Sequence, residues 1–222
     1  MLASMLPIGR LTVFPPSARR VVRRIRYGAP ITVVSGLPRS GTSMMMQMLE
    51  AGGMPLITDG VRQGDEQNPR GYFELEAVKE LDKGGDASWL RDARGKAVKV
   101  ISFLVTWLPE AYDYRVIFME RSIDEVVASQ NAMLRERGHA PETTDAERAK
   151  IFFRDHLERT HRFLRHRRCF RTLTVRYVEA VEHPSDIVQQ VASFLDAGLD
   201  VGQMAAVADR ALYRNRRAPG TN

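Results

Sequence analysis

Gly36 and Gly41 bracket the segment Leu37-Pro38-Arg39-Ser40, and two hydroxyl residues, Thr42 and Ser43, follow at once. Glycines at this spacing let backbone N–H groups crowd around an anion, and a helix beginning at about Thr42 adds the partial positive charge of its N-terminus. The phosphate-binding-loop pattern is G-x-x-x-x-G-K-[ST]. Here Thr42 stands where that pattern has its lysine, and the cation has moved into the loop as Arg39. The grip for a terminal phosphoryl group on magnesium is therefore altered, while the grip for a 5′-phosphate is kept. A second candidate anion clamp is Arg121, just past a strand, with Ser129 eight residues later. A cation at a strand end and a hydroxyl two turns into the next helix can hold a second phosphate, although arginines in that position also serve as salt-bridge partners.

Strands and helices must alternate to position these groups. Strand-like runs are expected at 31–35, 55–58, 97–102, 114–119 and 171–177, rich in the β-branched and aromatic residues that suit a pleated surface. Helices are expected from about Thr42 to the Gly52-Gly53 stop, over 74–83, from Ser122 to about 137, from Thr144 to about 166, and over 184–196 and 200–212. Ser122-x-x-Glu125 and Thr144-x-x-Glu147 read as capping boxes. Residues 59–72 are polar and glycine-containing and read as a long loop. Strands separated by helices imply a central, mostly parallel five-stranded sheet with right-handed crossovers, in an α/β, P-loop-type three-layer sandwich. Ligands bind such sheets at the C-terminal ends of the strands. Met44, Met45, Met46 and Met48 have helical spacing and are read as core, without chemistry. His156, His161 and His166 recur every five residues, do not share one helix face, and read as surface or packing residues.

Composition narrows the class. The chain has 222 residues, 44% hydrophobic and 27% charged, as expected of a soluble globular domain. One cysteine, Cys169, rules out an internal disulfide framework and fits a reducing compartment. The five histidines lack HExxH spacing, which argues against zinc chemistry. The net charge of +6 is matched by the six arginines of residues 1–28, a segment with no acid. The division is thus a basic N-terminal arm, 1–28, and a near-neutral domain, 29–222, with no broad nucleic-acid-binding face. The arm is interrupted by Pro7 and Arg10, too polar for a secretory signal or a bilayer span, and suited at most to peripheral contact with an anionic membrane. The expected location is cytoplasmic, with membrane association through that arm as an option.

Taken together, the Pro38-Arg39-Ser40-Gly41-Thr42 loop and the Arg121/Ser129 pair resemble the sulfotransferases that use 3′-phosphoadenosine-5′-phosphosulfate (PAPS), nearest to bacterial members with a Pro-Arg-Ser-Gly-Thr loop. The resemblance runs from about Ile31 to Leu212. It implies that residues 38–43 bind the 5′-phosphosulfate, that Arg121 and Ser129 bind the 3′-phosphate, and that Tyr177, after the last strand, lies near the adenine. It implies transfer of a sulfonate group to a hydroxyl or amine, with PAPS as co-substrate and no metal. Arg39 would stabilise charge on the leaving phosphate. Lys99 matches a strand lysine of the family, although an edge or inward-snorkelling lysine is as good a reading. The histidine that cytosolic members carry two residues after that lysine is Ile101 here. A carboxylate is then wanted to take the acceptor's proton. Glu74, in Asn68-Pro-Arg-Gly-Tyr-Phe-Glu74, is the first choice, with Glu66 and Glu76 behind it, unless Glu74 merely caps a helix. Arg70 is an acceptor or sulfate contact, and Arg214, Arg216 and Arg217 could cover the 3′-phosphate in place of the family's glycine-containing basic segment. The acceptor, whether small molecule, carbohydrate or lipid, is left open.

Two other classes remain at this point. An ATP- and magnesium-dependent phosphotransferase needs a lysine where Thr42 stands and an acid at a strand end, for which Glu120 is the candidate. A non-catalytic nucleotide-binding scaffold needs neither.

Overall fold

The computed structural model describes residues 28–59, 71, 73–136 and 143–208. The basic arm to residue 27, Glu66, Arg70, the 137–142 connection, and Arg214, Arg216 and Arg217 lie outside the described residues. Four strands, β1 (Ile31–Gly36), β2 (Ala97–Lys99), β3 (Tyr114–Glu120) and β4 (Phe170–Arg176), form one parallel sheet in the order β2-β1-β3-β4. The α-helices are α1 (Thr42–Ala51), α2 (Ile123–Glu136), α3 (Thr143–His166), α4 (Tyr177–Glu182), α5 (Pro184–Leu195) and α6 (Val201–Ala206).

Among the described residues the sheet has four strands rather than the expected five. Residues 55–58 touch the sheet edge through a single parallel bridge, Leu56 to Ala97, because Gly53 and Pro55 on one side and Asp59 on the other leave too short a run for a ladder. Residues 74–83, expected to be helical, form a 3-10 helix over Glu76–Lys83. The end of β2 is longer in hydrogen bonding than in strand geometry: Val100 N–H donates to Val34 O and Ser102 N–H to Gly36 O, at 3.0 and 2.9 Å.

Alternation along β1 sorts the two faces. Val34 points into a cluster with Met45, Met46, Met48 and Leu49 of α1 and with apolar residues of α5 and α6. Ile31 and Val33 point into the opposite cluster, with Val98, Val116, Phe118 and Leu164 of α3. The methionines are core, as their spacing predicts. Both faces of the sheet are covered, so its strands read as nearly unbroken apolar runs. The connection from β1 leads to β2 on one side, and the chain later returns to β3 on the other. The crevice at this reversal lies at the C-terminal end of β1, which is where the glycine-framed loop begins.

Candidate active site

The loop of residues 37–41 turns on unusual backbone. Gly36 has φ 147° and Gly41 φ 99°, and Arg39, without the freedom of glycine, holds φ 72°. A non-glycine residue in the left-handed region costs about 1 kcal/mol or more and persists where the surroundings impose it. Gly41 caps α1, no side chain caps that terminus, and its first turn holds no acidic residue. The positive end of the helix is thus uncancelled by its own side chains. The Ser40 hydroxyl is enclosed within the loop and finds no hydrogen-bond partner among the described residues. A buried donor without an acceptor is costly in water-free surroundings. An anion in this cradle would relieve it.

Long-range contacts tie the loop to the second clamp. Arg39 Nε donates to Ser129 Oγ on α2 at 2.9 Å. Arg121 Nη1 donates to the Arg39 carbonyl at 3.3 Å, and Arg121 Nε donates to Glu125 Oε2 at 2.8 Å, both of those side chains being almost fully buried. The Arg121 guanidinium stacks 4.5 Å from the centre of the Tyr177 ring. That same ring lies where a Cβ on Gly41 would stand. Arg39, Gly41, Arg121, Ser129 and Tyr177 therefore form one connected group, although Arg39 and Tyr177 lie 138 positions apart in the chain. Ser129 is engaged by Arg39 in this arrangement, and Tyr177 is packed against the loop itself. Lys99, nearly buried at the end of β2, donates to Ser43 Oγ at 3.2 Å. Thr42 is buried at the start of α1.

Beside this group opens a cleft of about 390 Å³ lined by Glu120, Arg121, Ser122, Glu125, Arg176 and Val178. Its volume falls within the range of small-ligand sites, roughly 300–1,000 Å³. Arg176, which sequence reasoning passed over, brings a second guanidinium to this cleft. Its signal was its place, the last residue of β4, directly before Tyr177.

Glu74 is reached by a different route. Its carbonyl accepts from Asp59 N–H at 3.2 Å and from Thr58 Oγ1 at 2.7 Å. Since Leu56 runs parallel to Ala97, residues 58–59 lie at the C-terminal end of the sheet, and Glu74 lies there with them. Its carboxylate sits 3.5 Å from Lys79 Nζ, and Glu76 pairs with the same lysine at 2.6 Å on the exposed side of the 3-10 helix. Glu74 is thus at the correct end but on the far side of the β2 edge from Arg121. Glu120 Oε1 lies 2.8 Å from His161 Nε2, close enough for an ion pair though not aligned as a hydrogen bond.

No protein-family model and no curated protein matches the sequence. Among solved structures, the chain is similar to sulfotransferase STF9 from Mycobacterium avium, at 15% identity and TM-score 0.53, over 86% of this chain and 69% of that one. Other similar structures are the sulfotransferase domain of the Synechococcus PCC 7002 olefin synthase, at 16% identity and TM-score 0.48 over 88% and 91%, and a sulfotransferase from Alicyclobacillus acidocaldarius, at 14% and 0.46 over 78% and 84%. At such identities a likeness speaks for architecture. This chain has the α/β fold, parallel sheet and surrounding helices of the Mycobacterium avium sulfotransferase.

Proposed function

We propose that this protein transfers a sulfonate group from PAPS to a hydroxyl or amine of an acceptor. The observation that carries the reading is the contact between the two anion clamps: Arg39 of the loop hydrogen-bonded to Ser129, and Arg121 hydrogen-bonded to the backbone of Arg39. Two cationic groups at the C-terminal end of one sheet, linked through Ser129 and the loop backbone, suit two phosphates of a single nucleotide. In this reading residues 38–43 hold the 5′-phosphosulfate, Arg121 and Ser129 the 3′-phosphate, and the cleft beside Arg121 and Tyr177 receives the adenosine. On binding, Arg39 exchanges Ser129 for the phosphosulfate. It then neutralises charge gathering on the 5′-phosphate as the S–O bond breaks, with Lys99 and the first N–H groups of α1 assisting.

The phosphotransferase reading is less well supported. Thr42, in the lysine position, is buried at the start of α1, and Glu120, the acid it would use for magnesium, pairs with His161.

Calorimetry with 3′-phosphoadenosine 5′-phosphate tests the nucleotide assignment. Tight binding that does not depend on magnesium is expected. ATP binding that requires magnesium would overturn it. Arg39→Gly is the cleanest variant, because glycine accepts the φ of 72°. Its melting temperature should be unchanged or raised, while nucleotide affinity drops about 100-fold through loss of a charge-assisted contact. Equal affinity would remove Arg39 from the site.

The proton of the acceptor needs a base. Glu74→Gln should leave nucleotide affinity within about twofold, since a neutral group here touches no phosphate contact. Its turnover decides whether the carboxylate is the base: a loss of about 100-fold would assign the role to Glu74, and near-normal turnover would take it away.

A further inference from the structure

The layer between the sheet and α3 changes character along the strands. At their beginnings it holds Ile31, Val98, Tyr114, Leu164 and Phe170. At their C-terminal ends, polar groups gather in it. Ser102, wholly buried, places its Oγ 2.9 Å from His156 Nε2, and Thr160 Oγ1 is 3.4 Å from the same nitrogen. Ser35 has the β1 parity of Ile31 and Val33 and is paired with Phe118, so its side chain faces this same layer. Its hydroxyl is fully buried and without a hydrogen-bond partner among the described residues. Buried polar groups weaken a core unless something uses them. These stand beside the phosphate loop, since Ser102 N–H is bonded to the carbonyl of Gly36, where the loop starts. The next residue, Leu37, packs on Phe153 and Leu157 of α3, the neighbours of His156 along that helix.

We propose that His156, its Nε2 held at the end of β2 by Ser102, is the group that takes the acceptor's proton. The assignment rests on the sulfotransferase reading and completes it, filling from α3 the role for which position 101, just past β2, has only isoleucine. The ring is partly exposed while Ser102 is enclosed, so the ring is the part an acceptor reaches. It stacks 3.9 Å from Phe103, which in turn lies against the half-exposed Phe152 and the buried Phe153. These rings make an apolar wall beside the imidazole. In the transfer step the acceptor oxygen forms its bond to sulfur and the sulfur–oxygen bond to the 5′-phosphate breaks, its electron pair leaving with the phosphate. The acceptor's proton passes to Nε2 of neutral His156, which gives up the Ser102 hydrogen bond to accept it.

The surroundings keep the ring ready for this. Burial holds its pKa below the ordinary 6.5, with the charge of Arg159 on its own helix adding to the effect. Among the described residues, the end of β2 brings Ser102 and Phe103 to it, and the 3-10 turn Val105–Trp107 has no ionisable side chain. On α2, which packs on α3, Asp124 is paired with Lys150 at 2.8 Å. The imidazole is therefore neutral at physiological pH, the state a base requires.

The test follows the histidine signals of the 15N-histidine-labelled full chain by NMR across neutral pH, with and without saturating 3′-phosphoadenosine 5′-phosphate. His156→Gln identifies the signal, and calorimetry reports nucleotide binding separately. We expect the His156 midpoint below the ordinary value in the free protein, rising by about one pH unit when the anion sits nearby. With 2-naphthol as probe acceptor, His156→Gln should lose about 100-fold in turnover and the acidic limb of the pH profile, at unchanged nucleotide affinity. A bound nucleotide that leaves the His156 midpoint unmoved, or full turnover in His156→Gln, overturns this assignment and leaves the nucleotide reading standing. Absence of nucleotide binding overturns both.

Discussion

Gly36→Ala is expected to cost the protein the shape of its 37–41 loop and a large part of its stability. A Cβ at this position would stand 2.5 Å from the Met119 carbonyl and 2.5 Å from Ser40 Oγ, at a φ of 147°. The serine could turn away. The carbonyl cannot, because Met119 belongs to β3, in register with Gly36 in the centre of the sheet. Relief therefore requires β1 and β3 to part at their C-terminal ends, where the loop and Arg121 both begin. Overpacking and backbone strain together should amount to about 3 kcal/mol or more. For a chain of this size that corresponds to a fall in melting temperature of roughly 6–12 °C. Nucleotide affinity should become too weak to measure by calorimetry. A variant that melts normally and binds normally would show that the loop does not need this close approach of backbone.

Arg121→Ala carries the second large effect, and it acts on two quantities at once. Arg121 and Glu125 are 9% and 7% exposed in their side chains and hydrogen-bond at 2.8 Å. Removing the guanidinium takes its hydrogen-bonded cation away from the buried Glu125 carboxylate, and breaking a buried ion pair from one side typically destabilises by about 3–5 kcal/mol. The same change removes the stack on Tyr177 and the hydrogen bond to the Arg39 carbonyl, so the loop loses its outer brace. Affinity for 3′-phosphoadenosine 5′-phosphate should fall about 100-fold or more. A double variant separates the two quantities. Arg121→Met with Glu125→Gln removes both charges, and its melting temperature should recover most of the loss while affinity stays low. Recovery of affinity along with stability would mean that Arg121 is a structural brace and touches no phosphate.

The buried Arg121–Glu125 pair also bears on how the site works. In the proposed nucleotide site, a carboxylate this close to a phosphate opposes anion binding unless its partner neutralises it. At an i, i+4 spacing on the start of α2, Glu125 fixes the guanidinium before any ligand arrives, and a fixed cation loses less freedom on binding than a mobile one. The capping-box reading of Ser122-x-x-Glu125 located the helix start, which the structure has at Ile123. It did not foresee that the Glu125 carboxylate would be spent on the arginine four residues before it.

What the chain discloses on its own is what short range controls. The 31–51 segment is legible as strand, loop and helix because β-branched residues, paired glycines and a methionine-rich helical period each act within a few residues of themselves. The core assignment of the methionines follows from the same period. The parallel α/β class follows from alternating strands and helices, since parallel neighbours need a crossover. The strand expected at 55–58 does not form: its composition suits a strand, but composition does not say whether a neighbour offers a ladder longer than one bridge. Only the folded chain decides partnership between distant residues. It sets Arg39 against Ser129, 90 residues away, lays Tyr177 on Gly41, and carries His156 to Ser102 across 54 residues. Histidines at five-residue spacing share no helix face, so periodicity gives none of them a role. The direction from which α3 crosses the sheet is what brings one ring to the end of β2, and that direction is set by packing of whole faces, which no local pattern encodes.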